Sequence, residues 1–330
     1  MARYSRLSPL SVEEQATICK LVVRFFHPLE SDYIKAKIQQ GQKSITPPSV
    51  MDLLEYYKQQ GIDLWSKLNH VQALISKLVL SNILNSSGGN DHRQRLLCMI
   101  ELSERQRRGW LWLGRALGSP YIASEIGKDI AFISGPTKTT GDLAVGTGLL
   151  ISEREILTCG HVIRDLSQIS EIRVGGKTVA QERTAVHPHI DIGVIYLRDQ
   201  VATQLPDLAF RDASTLEEIV IVGYPTVPRS LEPVLTFQSG EICAHIAKTQ
   251  DAWPVELFSA IARPGNSGGP VVAMDGRVVG IVTRSLERQK EEADFMAPMP
   301  FFAAVPSKVI AQAVIELDDG RTILPWESWS

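Results

Sequence analysis

The sequence predicts a multi-domain chain, an N-terminal all-α bundle followed by an all-β part of about twelve strands, the number that two six-stranded barrels need. Three observations carry this reading. Apolar residues recur at helical spacing over the first hundred or so positions, whereas from Tyr121 onward short apolar runs are broken by Gly, Pro, Asn and Asp. The charge also changes sign: residues 1–118 hold 16 Lys and Arg against 10 Asp and Glu, net +6, and the remainder holds 18 against 27, net −9. These place boundaries at 1–118 for the helical part, 119–320 for the β part and 321–330 for a C-terminal tail. At 330 residues both parts are large enough to bury a core without staples.

The first helix is expected over 11–28: Ser11 and Glu14 have capping-box spacing, and Ile18, Leu21, Val22, Phe25 and Phe26 follow at helical intervals. Further helices are expected at 31–40, at 49–60 after Pro47-Pro48, at 63–84, and at 91–117 after the breaker Asn85-Ser86-Ser87-Gly88-Gly89-Asn90. Trp110-Leu111-Trp112-Leu113 follows the basic run Arg105-Gln106-Arg107-Arg108 and reads as core aromatics beside a solvated face, with a docking surface or a cleavable site as the alternative. His27, His70 and His92 lie far apart, so this part shows no catalytic constellation. Strands are expected at 130–134, 143–151, 155–158, 171–174, 178–186, 192–197, 218–223, 234–245, 255–261, 270–274, 277–284 and 301–305, with a closing helix at 306–317. The tail with Trp326 and Trp329 either packs back or stays free; sequence does not choose.

Composition excludes several classes. An apolar fraction of 44% and a charged fraction of 22% describe an ordinary soluble globular chain. Neither a secretory leader nor an apolar run of about 18 residues is visible, so no membrane span is expected. Cys19, Cys98, Cys159 and Cys243 are scattered without metal-ligand spacing and read as buried thiols of a reducing compartment, hence a cytoplasmic location with no metal and no cofactor. The net +6 is a solvated helix face, and no nucleic-acid motif accompanies it, so no nucleic-acid partner is expected.

The chemistry centres on Gly265-Asn266-Ser267-Gly268-Gly269-Pro270. A serine between glycines at a tight turn presents its hydroxyl to a cleft, and the amides of Gly265 and Ser267 can converge on one oxyanion. Taken alone, the same residues are also ordinary turn chemistry. A serine nucleophile needs a base and a group that fixes the base's tautomer. His161 follows the apolar run Ile156-Leu157-Thr158-Cys159-Gly160, and Asp191 stands in Asp191-Ile192-Gly193-Val194. His187 and His189, which flank Asp191, read as partly exposed loop residues, and Cys159 as a packed residue, not a nucleophile.

These three motifs, in the order histidine, aspartate, serine, resemble those of the chymotrypsin-like serine peptidases, and their separations look like the compact bacterial HtrA-type members. The resemblance covers roughly residues 120–316 and implies the double-barrel fold, with Ser267 as nucleophile, His161 as general base and Asp191 as its orienting carboxylate. Gly146-Thr147-Gly148 is similar to the family's strand before the histidine motif. By the same alignment the substrate pocket has Ile261 at its floor and Thr283, Arg284 and Ser285 along its wall, with Phe301 or Phe302 opposite. Ile261 stands where an acidic residue would select Lys or Arg, so a small apolar residue before the cut is expected, and Arg284 is available to an acidic substrate side chain. Where digestive relatives carry an aspartate before the serine this chain has Asn266, which cannot pair with a newly cut N-terminus, so activation by N-terminal insertion is not expected. The α-helical part resembles, in size and architecture only, the small adaptor modules fused to trypsin-fold peptidases in bacterial conflict systems. The expected function is therefore an intracellular serine endopeptidase acting on a protein substrate, with a protein partner for the helical domain. The alternative is a catalytically silent trypsin-fold binding or scaffold protein. An esterase of the α/β-hydrolase type is excluded by motif order and by the absent Gly-x-Ser-x-Gly elbow.

Overall fold

Helix α1 (Val12–Phe26) begins at Ser11, whose hydroxyl accepts from the Glu14 amide while the Glu14 carboxylate accepts from the Ser11 amide, the reciprocal cap its spacing predicts. The computed structural model describes residues 8–39, 46–203, 205–249, 253–286 and 301–327. They divide into two compact units, Met1–Tyr121 and Ile122–Ser330.

In the first unit α1 is followed by α2 (Asp32–Gln39), α3 (Val50–Gln59) and α4 (Leu68–Leu80). Val22, Phe25, Phe26, Leu53, Leu54, Ile75 and Leu78 bury the apolar stripes of these helices. After α4 the structure departs from an all-helical reading. Most of the expected breaker lies in a strand, β1 (Leu84–Gly88), antiparallel to β2 (Arg95–Cys98), with Leu84 opposite Cys98. Two causes are legible. Arg95-Leu96-Leu97-Cys98 buries Leu96 and Cys98 in alternation, a period of two and not of 3.6. Gly89 turns at φ +83°, where an added Cβ would lie 2.4 Å from the Arg93 carbonyl oxygen. The expected 91–117 helix accordingly shrinks to α5 (Glu104–Arg108) and α6 (Gly114–Leu117), with Trp112 fully buried and its indole N–H donated to the Gln106 carbonyl. Helix α7 (Ser119–Ile126) contains the boundary between the units.

The second unit is mainly β; α7 runs into it, and two further α-helices lie among its described residues. Its first sheet comprises β3 (Ile130–Pro136), β4 (Leu143–Ser152), β5 (Glu155–Thr158), β6 (Glu171–Val174), β7 (Lys177–Thr178), β8 (Gln181–Val186) and β9 (Gly193–Leu197), in the order β7-β6-β3-β4-β5-β9-β8. The two ends of this order are separated in the chain by only residues 179 and 180. The Val179 amide still donates to Ile172 on the β6 side, and Ala180 accepts from Arg198 on the β9 side, so the sheet curls back on itself through one interrupted strand. The second sheet is a closed six-stranded barrel: β10 (Glu218–Gly223), β11 (Thr236–Ile246), β12 (Val255–Phe258), β15 (Phe302–Pro306), β14 (Val278–Val282) and β13 (Pro270–Ala273). Ile219, Ile221, Ile242, Phe258, Val271 and Val279 fill it. Helix α8 (Gly160–Arg164) follows β5, and α9 (Ser307–Leu317) follows β15. The tail packs on this unit: Phe210 N–H donates to the Pro325 carbonyl, the Glu327 amide to the Phe210 carbonyl, and fully buried Arg277 meets the Glu327 carboxylate at 2.6 Å. Trp329 lies outside the described residues.

Candidate active site

Three loops leave the two sheets and meet. His161 stands on α8, immediately after β5; Asp191 lies in the turn before β9; Ser267 lies in the turn before β13. The sheets are sewn together at this point. The Thr147 amide donates to the Ser267 carbonyl at 2.9 Å, the Thr147 hydroxyl to the Gly265 carbonyl at 2.6 Å, and the Cys159 thiol to the Val282 carbonyl at 3.1 Å. Gly268, at φ +86°, presses so closely on the first sheet that a Cβ would lie 2.1 Å from the Thr147 carbonyl oxygen. Only glycine fits there, which fixes Ser267 beside the segment leading to His161.

His161 and Asp191 form a tight pair. The imidazole Nδ1 donates to Asp191 Oδ2 at 2.6 Å and the His161 backbone amide donates to Oδ1 at 2.8 Å. An ionised carboxylate only accepts, so Nδ1 carries a proton; in the neutral imidazole this leaves the lone pair on Nε2, the tautomer a general base needs. Two further donors reach Asp191: the Thr283 hydroxyl at 2.6 Å on Oδ2 and the Arg164 guanidinium at 3.1 Å on Oδ1. Burial pushes the Asp191 carboxyl upward, but the hydrogen bonds and charge of His161, with Thr283, outweigh it and hold the group well below the usual carboxylate range.

The serine turn presents two amides. Asn266 donates to the Arg263 carbonyl, Gly268 to Val282 and Gly269 to Asn266, whereas among the described residues no acceptor takes the amides of Gly265 and Ser267. Their peptide planes are nevertheless fixed from the other side. The Pro264 carbonyl accepts from Thr226 and the Asn266 carbonyl from Gly269, so each trans peptide holds its N–H pointing away. Two oriented, unclaimed donors flanking a serine suit an oxyanion. Among the described residues no hydrogen bond joins the Ser267 hydroxyl to His161.

A cavity of about 1080 Å³ opens beside the pair and is lined by His161, Asp191, Thr283, Arg284 and Ser285, among others. Ile261 is not part of that lining and is 46% exposed. Arg284 is engaged with Asp165 at 2.5 Å. Phe302 stacks on Phe258 and packs against the barrel core, while Phe301 is exposed. His187 is buried, not a partly exposed loop residue: its Nδ1 accepts the amides of His189 and Ile190, and its Nε2 donates to Glu316 at 2.9 Å. It thereby ties the Asp191 turn to α9. Exposed His189 matches its reading.

Sequence reasoning missed the supporting roles of Thr147, Arg164, His187 and the Thr283 hydroxyl. Arg164 had a signal, since three residues along a helix from His161 is the same face. So did Thr147, flanked by two glycines as a close backbone approach requires. The ligand atoms of Cys159, His161 and Asp191 lie within 4.8 Å of one another, the spacing of a metal site. Their chemistry does not fit one: burial pushes the thiol well above its ordinary value and its proton is given to Val282, while Asp191 is filled by four donors. No helix among the described residues is long and apolar enough to cross a membrane.

Residues 146–281 match the family model of the trypsin-like peptidase domain. A probable periplasmic serine endoprotease, DegP-like, of Chlamydia pneumoniae is 31% identical over 143 residues, 42% of this chain and 28% of the relative. The serine protease Do-like HtrA of Lactococcus lactis is 24% identical over 210 residues, 58% of this chain and 50% of the relative. The chain thus spans half or less of the length of these relatives. Among solved structures, the active form of the Rv3671c protease of M. tuberculosis aligns with a TM-score of 0.46 at 18% identity, covering 62% of this chain and 86% of that one.

Proposed function

We propose that this chain, which carries a trypsin-like peptidase domain similar to that of HtrA-type proteases, is a serine endopeptidase acting on a protein substrate. Ser267 is the nucleophile. His161 Nε2 takes its proton as the bond to the acyl carbon forms and returns it to the leaving amine; Asp191 holds the imidazole and stabilises its charged form. The Gly265 and Ser267 amides receive the oxyanion. Thr283, Arg284 and Ser285 wall the substrate pocket; Ile261, expected from sequence at its floor, lies outside this cavity. The observation that carries this reading is the His161–Asp191 pair at 2.6 Å, with the serine turn packed on the segment leading to His161 and its Gly265 and Ser267 amides meeting no acceptor among the described residues. One observation favours the second reading, a catalytically silent binding protein: the missing bond from Ser267 to His161 among the described residues.

We place the enzyme in the cytoplasm and assign its helical domain, residues 1–118, the task of recruiting or regulating residues 119–320 through a protein partner, in a setting such as a bacterial conflict system. Asn266, buried and uncharged, supports control by that partner in place of N-terminal insertion. Incubation with an unstructured protein such as β-casein separates the two readings. Fragments are expected from the native chain, at a rate at least about 10³ above that of Ser267→Ala. Fragments released equally by both proteins, or by neither, contradict the endopeptidase.

A further inference from the structure

Past the His161–Asp191 pair, the cavity runs between Thr283–Leu286, the turn at 188–190, Trp253–Val255 and the first turns of α9. Its charge is one-sided. The charged groups of the lining are Arg164, Arg284, Lys308 and Asp191, and Asp191, the single carboxylate of that lining, already accepts four hydrogen bonds. Among the described residues of that lining, no other carboxylate is left to face a ligand. Lys308 is exposed and has no ion-pair partner among the described residues. It stands in the first turn of α9, whose N-cap Pro306 supplies no side-chain cap, so the positive end of the helix adds to its charge. Among the described residues Arg284 pairs with Asp165 alone, in a contact whose side chains are 64% and 55% exposed, the kind that an incoming carboxylate displaces at small cost. Between these cations Trp253, Leu286 and Val309 give an apolar wall against which an aliphatic stem packs.

We infer that this cavity is an acid-selecting subsite, which receives Asp or Glu side chains of the substrate on the acyl side of the cut, with Lys308 and Arg284 as its specificity determinants. The acyl-side placement rests on the endopeptidase reading, in which the substrate strand runs along the extension of β14 through Thr283–Ser285. The charge preference rests on the cavity alone. Uncharged residues at these positions leave the cations without a counter-charge, and a lysine faces three cations.

The test is binding to the full chain carrying Ser267→Ala, which needs no turnover. A fluorescein-labelled peptide Glu-Glu-Asp-Ala-Ser-Gly is compared with its amide counterpart Gln-Gln-Asn-Ala-Ser-Gly by anisotropy. At low ionic strength the acidic peptide is expected to bind about fivefold tighter, a ratio that shrinks toward unity in about 0.5 M salt. Adding Lys308→Glu is expected to erase or invert the ratio, and adding Lys308→Arg to keep it; Lys308→Gln, which introduces no new charge, is expected to lower it. Equal binding of the two peptides, binding of neither, or a ratio that Lys308→Glu and Lys308→Gln both leave intact overturns the subsite. Failure of Ser267 to react with an acyl-transfer probe would overturn the peptidase reading while leaving the peptide ratio standing, so the two failures are distinguishable.

Discussion

Asp191 concentrates more hydrogen bonds than any single role in orienting His161 requires. With both oxygens filled, the carboxylate cannot rotate, and the imidazole it holds cannot flip to the other tautomer. Thr283, read from sequence as pocket wall alone, is buried and spends its hydroxyl on Oδ2. Thr283→Val keeps the shape and removes that donor. Turnover is expected to fall about tenfold and stability by about 1–2 kcal/mol, with Thr283→Ser restoring both, as read by peptide hydrolysis and urea unfolding; unchanged kinetics in Thr283→Val would show the bond to be idle. The pairing of His161 with Asp191 was legible because acyl transfer restricts which residue types serve and the motifs preserve their order. Thr283 and His187 were not, because a hydroxyl or an imidazole in a loop carries no mark of the partner the fold will bring to it.

At the scale of elements, the serine turn is held by the opposite sheet. The Thr147 hydroxyl on β4 donates to the Gly265 carbonyl and accepts the Tyr224 amide at 2.9 Å, at zero exposure. Thr147→Val orphans both groups and releases the turn that carries the Gly265 and Ser267 amides. Turnover is expected to drop about 10–100-fold with little change in KM, the signature of an interaction made only in the transition state; a raised KM with intact turnover would instead assign Thr147 to substrate binding. The barrel holds a second element-level feature, Glu256 on β12, 4% exposed and with Oε2 unpartnered. Burial, with the charges of Glu217 and Asp212, pushes its carboxyl from 4.5 up to about 8. The folded state therefore keeps a proton that the unfolded chain has lost, so the contribution is complete below about 4.5 and disappears as pH rises through about 8. Glu256→Gln is expected to gain on the wild type in melting temperature by about 5 °C between pH 5.5 and 8.5. A constant difference across that range would deny the shift. The strand assignments of this unit were legible because its apolar runs are short and punctuated. The β1–β2 hairpin was not, because Asn-Ser-Ser-Gly-Gly-Asn reads equally as a helix terminator and as one arm of a ribbon, and only the pairing of Leu96 and Cys98 with the core decides.

For the molecule as a whole, the change of charge at residue 118 and the division of the chain at Tyr121 come from independent observations. Deleting residues 1–118 is expected to leave cleavage of short peptides within about twofold and to lower cleavage of the native protein target by tenfold or more, roughly the loss of effective concentration when a docking module is removed. Unchanged rates on both substrates would remove the recruiting role. The central claim is also a whole-molecule one, that His161, Asp191 and Ser267, drawn from two sheets, act on one atom. Its most direct measurement is the intact mass and peptide map of the chain after reaction with a fluorophosphonate. A single adduct on Ser267 is expected, formed at least about a hundredfold more slowly in Asp191→Asn and absent in Ser267→Ala. A wild-type chain that stays unlabelled, or one labelled equally fast without Asp191, would contradict the account.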